Sequence, residues 1–286
     1  MAVPPTLLCV HPHPDDESIS CGGVLARAAA DGIRTVVVTC TGGEEGENLA
    51  GIALGERSLA DHRRAELAAA LRELGVVGHH WLGYRDSGMA GSPGNAHPDS
   101  FHAAPLEEAA VRLAAVLRAE RPAVVVSDDR SGTYGHPDHV KAYHVTARAV
   151  ALAADADADV PGAPWQVTKR YVHTLPQGQL LAVHAQLLAA GLPSPFGTEP
   201  IANADDLPLG TPDDRVTTVV DVHAWVPRKR AAMAAHRSQI GPDSFFLNTP
   251  DDLAERAFAS EAFVLEAGPL GVAVGIEDDL FAGLPH

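Results

Sequence analysis

The chain has 286 residues, 46% of them hydrophobic, with 21 Lys and Arg against 37 Asp and Glu for a formal net charge of −16. That length and apolar share fit a globular protein with one main domain and a smaller appended part. The acidic balance argues against nucleic-acid and anionic-membrane partners, which need Lys and Arg to neutralise phosphate, and no stretch approaches the roughly 20 apolar residues of a membrane-spanning helix.

The first ten residues carry no basic side chain, so a signal peptide is not expected and the chain reads as cytoplasmic. Residues 7–10 are an apolar run of buried-strand type, followed at once by His11-Pro12-His13-Pro14-Asp15-Asp16-Glu17. Acidic side chains suit the first turn of a helix, and this helix is expected to run to Ala30, where Asp31-Gly32 stops it. Residues 35–40 are a β-branched strand that ends at Thr41-Gly42-Gly43, completing one βαβ unit. An amphipathic stretch over 56–74 closes at Gly75, a short strand follows at 79–82, and the Gly- and Pro-rich segment 86–98 reads as a loop.

Helical periodicity returns over 106–119, Arg121-Pro122 breaks it, and residues 123–127 form the next buried strand. A second polar cluster, Tyr134-Gly135-His136-Pro137-Asp138-His139, then leads into a helix over 138–154. This alternation predicts an α/β fold with a Rossmann-like, doubly wound, mostly parallel sheet that binds ligands at its carboxyl edge. Residues 155–164 have the composition of a flexible linker, which divides a metal-site domain over 1–165 from a smaller C-terminal α+β portion over 166–286 that caps the substrate pocket. Strands at 166–174 and 216–222, an irregular loop at 193–212 and a helix at 225–236 are expected there. Cys9, Cys21 and Cys40 lack CxxC spacing and read as small buried hydrophobes, suggesting neither a disulfide framework nor a thiolate zinc site.

Packing two imidazoles and three carboxylates into the turn after a strand is electrostatically costly unless a cation sits among them. The second His/Asp cluster also follows a buried strand, and two parallel strands bring their carboxyl ends to one crevice, so each cluster reads as half of a catalytic metal site. His-Pro-Asp-Asp-Glu at 13–17 with His-Pro-Asp-His at 136–139 resembles the signature of the LmbE/PIG-L-like zinc N-deacetylases. Arg63 within Arg63-Arg64-Ala65-Glu66-Leu67, Arg85-Asp86-Ser87-Gly88-Met89 and Tyr134-Gly135-His136 extend the similarity toward the members that act on N-acetylglucosaminyl-inositol in mycothiol biosynthesis.

The resemblance implies His13, Asp16 and His139 as ligands of zinc, or of Fe(II), which suits the same donors. It further implies Asp15 as general base, Tyr134 as oxyanion donor, His136 as the acid for the departing amine, and Asp138 as the carboxylate that orients His136 and raises its pKa. Arg63 and Asp86 are expected to hold sugar hydroxyls, with Met89 lining the pocket. Taken singly, Arg63 reads as a solvated helix-face residue, Tyr134 and Asp86 as turn residues, and His11 equally as a supporting residue or the end of its strand. The expected partner is a small amino-sugar conjugate, with no nucleic acid or membrane, and a homo-oligomer is left open. Three rival functions stand beside this one: a mycothiol S-conjugate amidase, a deacetylase of a glucosaminyl antibiotic precursor and, from a different class, a non-catalytic metal-binding module.

Overall fold

The computed structural model describes residues 5–284. Its strands are β1 (Thr6–His11), β2 (Arg34–Thr41), β3 (Gly78–Tyr84), β4 (Val124–Ser127), β5 (Lys169–Thr174), β6 (Thr218–Asp221) and β7 (Ser260–Ala267). The helices are α1 (Asp16–Ala30), α2 (Leu59–Leu74), α3 (Leu106–Glu120), the single turn α4 (Gly132–Gly135), α5 (Pro137–Ala154), α6 (Gln177–Ala189), α7 (Val226–Ala235), the single turn α8 (Phe245–Asn248) and α9 (Asp251–Phe258). No helix among the described residues is long and apolar enough to cross a membrane.

The strands form one sheet in the order β3-β2-β1-β4-β5-β7-β6. β1, β2, β3, β4 and β5 pair in parallel, whereas β7 runs antiparallel to both β5 and β6. Continuous burial along β1 and β4 explains their unbroken apolar runs, because a central parallel strand is covered on both faces. Leu8, Val10, Val36, Val38 and Val125 pack under α3 and α5, while Leu7, Val37, Val124 and Val126 pack under α1, α2 and α7. Strand order reverses between β1 and β4, and the crevice at their carboxyl ends is where such sheets bind ligands. α2 begins at Leu59, after the expected start, because the Ser58 side chain caps it by accepting from Asp61 N, and it ends at Gly75 in the left-handed conformation.

Two features differ from the sequence reading. The segment after residue 165 completes the sheet: β5 pairs with β4, and β7 enters between β5 and β6. α6 and β7 belong to that segment and are not anticipated in the chain order, although Phe263-Val264-Leu265 within β7 is a short apolar signal. The expected flexible linker is instead pinned. Arg118, buried, donates to the carbonyls of Leu152, Ala153, Asp155, Val160 and Gly162, and the Trp165 indole donates to Pro122 O at 2.8 Å. A buried guanidinium satisfied by five carbonyls fixes a segment whose composition alone says loop.

Candidate active site

The segment that runs from β1 into α1 supplies His13, Asp15 and Asp16, and the segment that runs from β4 through α4 into α5 supplies Asp128, Tyr134, His136, Asp138 and His139. Asp16 stands between two imidazoles, with Oδ2 3.4 Å from His13 Nδ1 and Oδ1 3.5 Å from His139 Nε2. The other nitrogens of both rings are engaged. His139 Nδ1 lies 2.7 Å from Asp128 Oδ1, and His13 Nε2 lies 3.3 Å from Asp138 Oδ2 and 3.4 Å from Asp86 Oδ1. Asp128 also meets His173 Nε2 at 2.9 Å. A carboxylate behind an imidazole fixes its tautomer and orientation, which is how metal-ligating histidines are commonly held.

The donor set is suited to a divalent metal. His13, His136 and His139 bring one nitrogen each within 4.8 Å of one another, as do His13, Asp86 and Asp138 with one donor atom each. Burial opposes charge on His13, yet its hydrogen bonds to Asp138, Asp16 and Asp86 outweigh burial and hold its pKa well above the ordinary value. Burial likewise opposes charge on Asp16 and Asp128, but the neighbouring imidazoles hold both carboxyls below their usual range. Asp16, Asp86, Asp128 and Asp138 thus crowd His13, His139 and His173, and the fourth ring, His136, is kept neutral by burial, so negative charge stays in excess even if the other three rings take a proton. A cation among the donors relieves that excess.

Asp15 has φ 119°, a conformation that L residues rarely adopt and that costs on the order of 1–3 kcal/mol. Three contacts over-determine it. Arg63 donates to Pro14 O at 2.7 Å and to Asp15 Oδ2 at 3.3 Å, and Asp15 N donates to Glu17 Oε2 at 3.0 Å. Glu17 is itself buried against His236 Nε2 at 2.7 Å. Burial pushes the Asp15 carboxyl up to about 6, with Arg63 pulling the other way. Arg63 also donates to Gly43 O, and a Cβ at Gly43 would overlap its guanidinium, so only glycine leaves room for it.

Several expected roles find different geometry. Arg63 is 3% exposed with its guanidinium turned into the protein, so it reaches the site through Asp15. Asp86 is also buried, accepting from Gly88 N at 2.8 Å and Glu45 N at 3.2 Å beside its contact with His13. Met89 is exposed on the loop after β3. Asp138 does not orient the His136 ring with its carboxylate. It faces His13 and accepts from Ser87 N and Oγ at 2.9 and 2.5 Å, while its backbone N donates to His136 Nδ1. His136 is depressed to about 4, first by burial and then by His13, effects that outweigh the raising influence of Asp138. Tyr134 is half-exposed, its hydroxyl 3.5 Å from His139 Nε2, and burial of the phenol raises its pKa, so it stays an O–H donor at neutral pH.

Asp128, His173 and His236 escaped assignment to the site from sequence, whereas Glu17 stands in the first cluster and reads equally as a supporting acceptor or an ordinary first-turn acid. Asp128 follows β4 directly and was detectable as a carboxylate at a strand end. His173 and His236 lie far along the chain and have no local signal.

Two cavities touch this network. One of about 290 Å³ is largely apolar and lined by Ser20, Thr133 and His173 together with Leu180, Phe196 and Phe245 of the C-terminal segment. Another of about 570 Å³ is more polar and includes Glu44, which accepts from Asp86 N at 2.8 Å.

Residues 8–150 match the family model described as PIG-L, GlcNAc-PI de-N-acetylase. A Thermomonospora curvata protein named 1D-myo-inositol 2-acetamido-2-deoxy-alpha-D-glucopyranoside deacetylase is 44% identical over 292 residues, covering 98% of this chain and 97% of that protein. A protein of the same name from Geodermatophilus obscurus is 44% identical over 290 residues, covering 98% of each chain. Among solved structures, the conserved protein TT1542 from Thermus thermophilus superimposes with a TM-score of 0.59 at 27% identity, over 93% of this chain and 96% of that one.

Proposed function

The chain belongs to the PIG-L family of GlcNAc-PI de-N-acetylases, and from that premise we propose that it hydrolyses the acetamide of an N-acetylglucosaminyl conjugate, specifically N-acetylglucosaminyl-inositol in mycothiol biosynthesis. Relatives of that name align over nearly the full length, which supports the substrate. The observation that carries the chemistry is the Asp16 carboxylate between His13 and His139, with Asp128 behind the latter.

We assign His13, Asp16 and His139 as the metal ligands, with zinc the ion that best suits two imidazoles and a carboxylate and Fe(II) the alternative. Such an ion, when bound, supplies Lewis acidity that polarises an amide carbonyl and acidifies water. Asp15 accepts the proton of the attacking water, a role for which a carboxylate poised near 6 is suited at neutral pH. The Tyr134 hydroxyl donates to the oxyanion that develops as the carbonyl becomes tetrahedral. His136, with Nδ1 accepting from Asp138 N, is neutral at pH 7 and serves as an Nε2–H donor. The proton taken up by Asp15 is then available to the departing amine, and acetate and a primary amine leave. Arg63, Asp86 and Asp138 act by positioning Asp15 and His13, whereas exposed Met89 is free to meet the sugar. The C-terminal segment forms a wall of the pocket through Leu180, Phe196 and Phe245.

The test combines metal analysis with primary-amine release from N-acetylglucosaminyl-inositol, from N-acetylglucosamine and from a mycothiol S-conjugate. Metal-loaded protein is expected to favour the inositol conjugate and to lose turnover on chelation. Preferred cleavage of the S-conjugate would replace the substrate assignment, and turnover unaffected by chelation would remove the metal chemistry.

A further inference from the structure

A second cluster of soft ligands lies behind the site, inside the core. The period-two alternation of β1 puts Cys9 and His11 on one face, the face that packs under α1, and α1 delivers Cys21 to the same place. One donor atom from each of the three residues lies within 4.8 Å of the others, and all three residues are fully buried. Neither ring nitrogen of His11 makes a hydrogen bond of good geometry, and the Cys9 thiol is its polar neighbour. Buried polar groups are nearly always well paired, so an imidazole with no partner but a thiol, next to a second sulfur, marks a position suited to something else.

We propose that Cys9, His11 and Cys21 form a second metal site, separate from the His13–Asp16–His139 cage, for a thiophilic divalent cation of the zinc class. Two thiolates and a neutral imidazole bring such an ion to zero net charge, the condition under which it can sit in a dry interior. Magnesium and calcium are excluded by the absence of oxygen from the donor set. The site is connected to the catalytic cage. His11 and His173 have ring centroids 6.3 Å apart, His173 meets Asp128 at 2.9 Å, and Asp128 holds His139 at 2.7 Å.

Cobalt(II) titration of the reduced, metal-free, full-length protein separates the two sites, because only thiolate ligation gives a sulfur-to-cobalt charge-transfer band. Wild-type protein is expected to take up two equivalents and to develop that band. Cys9→Ala and Cys21→Ser should each abolish the band and one equivalent, whereas His139→Ala should lose one equivalent and keep the band. Cys40→Ala, buried among different neighbours, should change neither. If one of the two cluster variants fails to fold, as judged by circular dichroism, the other carries the test. A wild-type protein that binds one equivalent without the band, or a band that survives loss of either cysteine, would overturn the proposal.

Discussion

Two buried clusters of charge differ in one respect. In the C-terminal half, Lys169 meets Glu277 at 2.6 Å, and Tyr171, Thr218 and the Gly271 amide donate to the same carboxylate at 2.6, 2.9 and 2.6 Å. One cation there faces one anion, and every oxygen is satisfied. At the carboxyl ends of β1 and β4, by contrast, four aspartates surround three imidazoles, and a buried Asp128 oxygen has no partner. A closed network stabilises a fold, or at least does not cost it dearly, whereas an open one of this kind is held ready for a ligand.

The largest effect is expected at the open cluster. Asp15→Asn should lower kcat by about 10²–10⁴-fold, the usual contribution of a positioned general base, while the metal content of the protein stays unchanged. Metal analysis beside steady-state amine release checks both halves of that expectation, and loss of the metal would turn Asp15 into a structural residue. Next comes the closed cluster. Lys169→Met leaves the Glu277 carboxylate buried without its cation and should cost about 3–5 kcal/mol in denaturant unfolding, with kcat of the folded fraction unaltered.

Asp128→Asn should weaken metal affinity by about 10–100-fold, because the amide holds His139 and His173 less firmly than the carboxylate does. A competition titration with a chelator reads this directly, and unchanged affinity would mean that the His139 ring is oriented by packing alone. The smallest effect is a pH dependence. Burial acts to raise the Glu277 carboxyl, but hydrogen bonds from Lys169 and Tyr171 hold it below its usual value of 4.5. The unfolded chain then binds the proton more tightly, so this contribution is complete above about pH 4.5 and is lost as pH falls below it. Glu277→Gln should flatten stability against pH in that acid range, and parallel curves for variant and wild type would contradict the assignment.

Much of this architecture is legible in the chain. The strands at 7–10, 35–40 and 123–127 announce themselves because a parallel strand buried on both faces must be continuously apolar. The two His/Asp clusters stand out because polar residues directly after such strands fall on the ligand-binding edge. Legibility fades beyond residue 165, where β7 is an insertion between strands far from it in sequence and local pattern says nothing of which neighbours it will find. It fades also within the site. Asp138 reads as the partner of His136, and Asp86 taken singly as a turn residue, until the fold turns both toward one nitrogen of His13, and Arg63 looks solvated until α2 buries it against the strained Asp15.

What the amino-acid order determined by itself is the chemistry on offer: which donors occur, and that they follow buried strands of a parallel sheet. What only the tertiary structure decided is which of those donors share an atom-sized space. The Cys9, His11 and Cys21 cluster shows the reason, since Cys9 and Cys21 lack any metal-site spacing and become neighbours only because α1 crosses the face of β1. Spacing along a chain reports local periodicity, whereas ligation depends on distances set by the packing of whole elements.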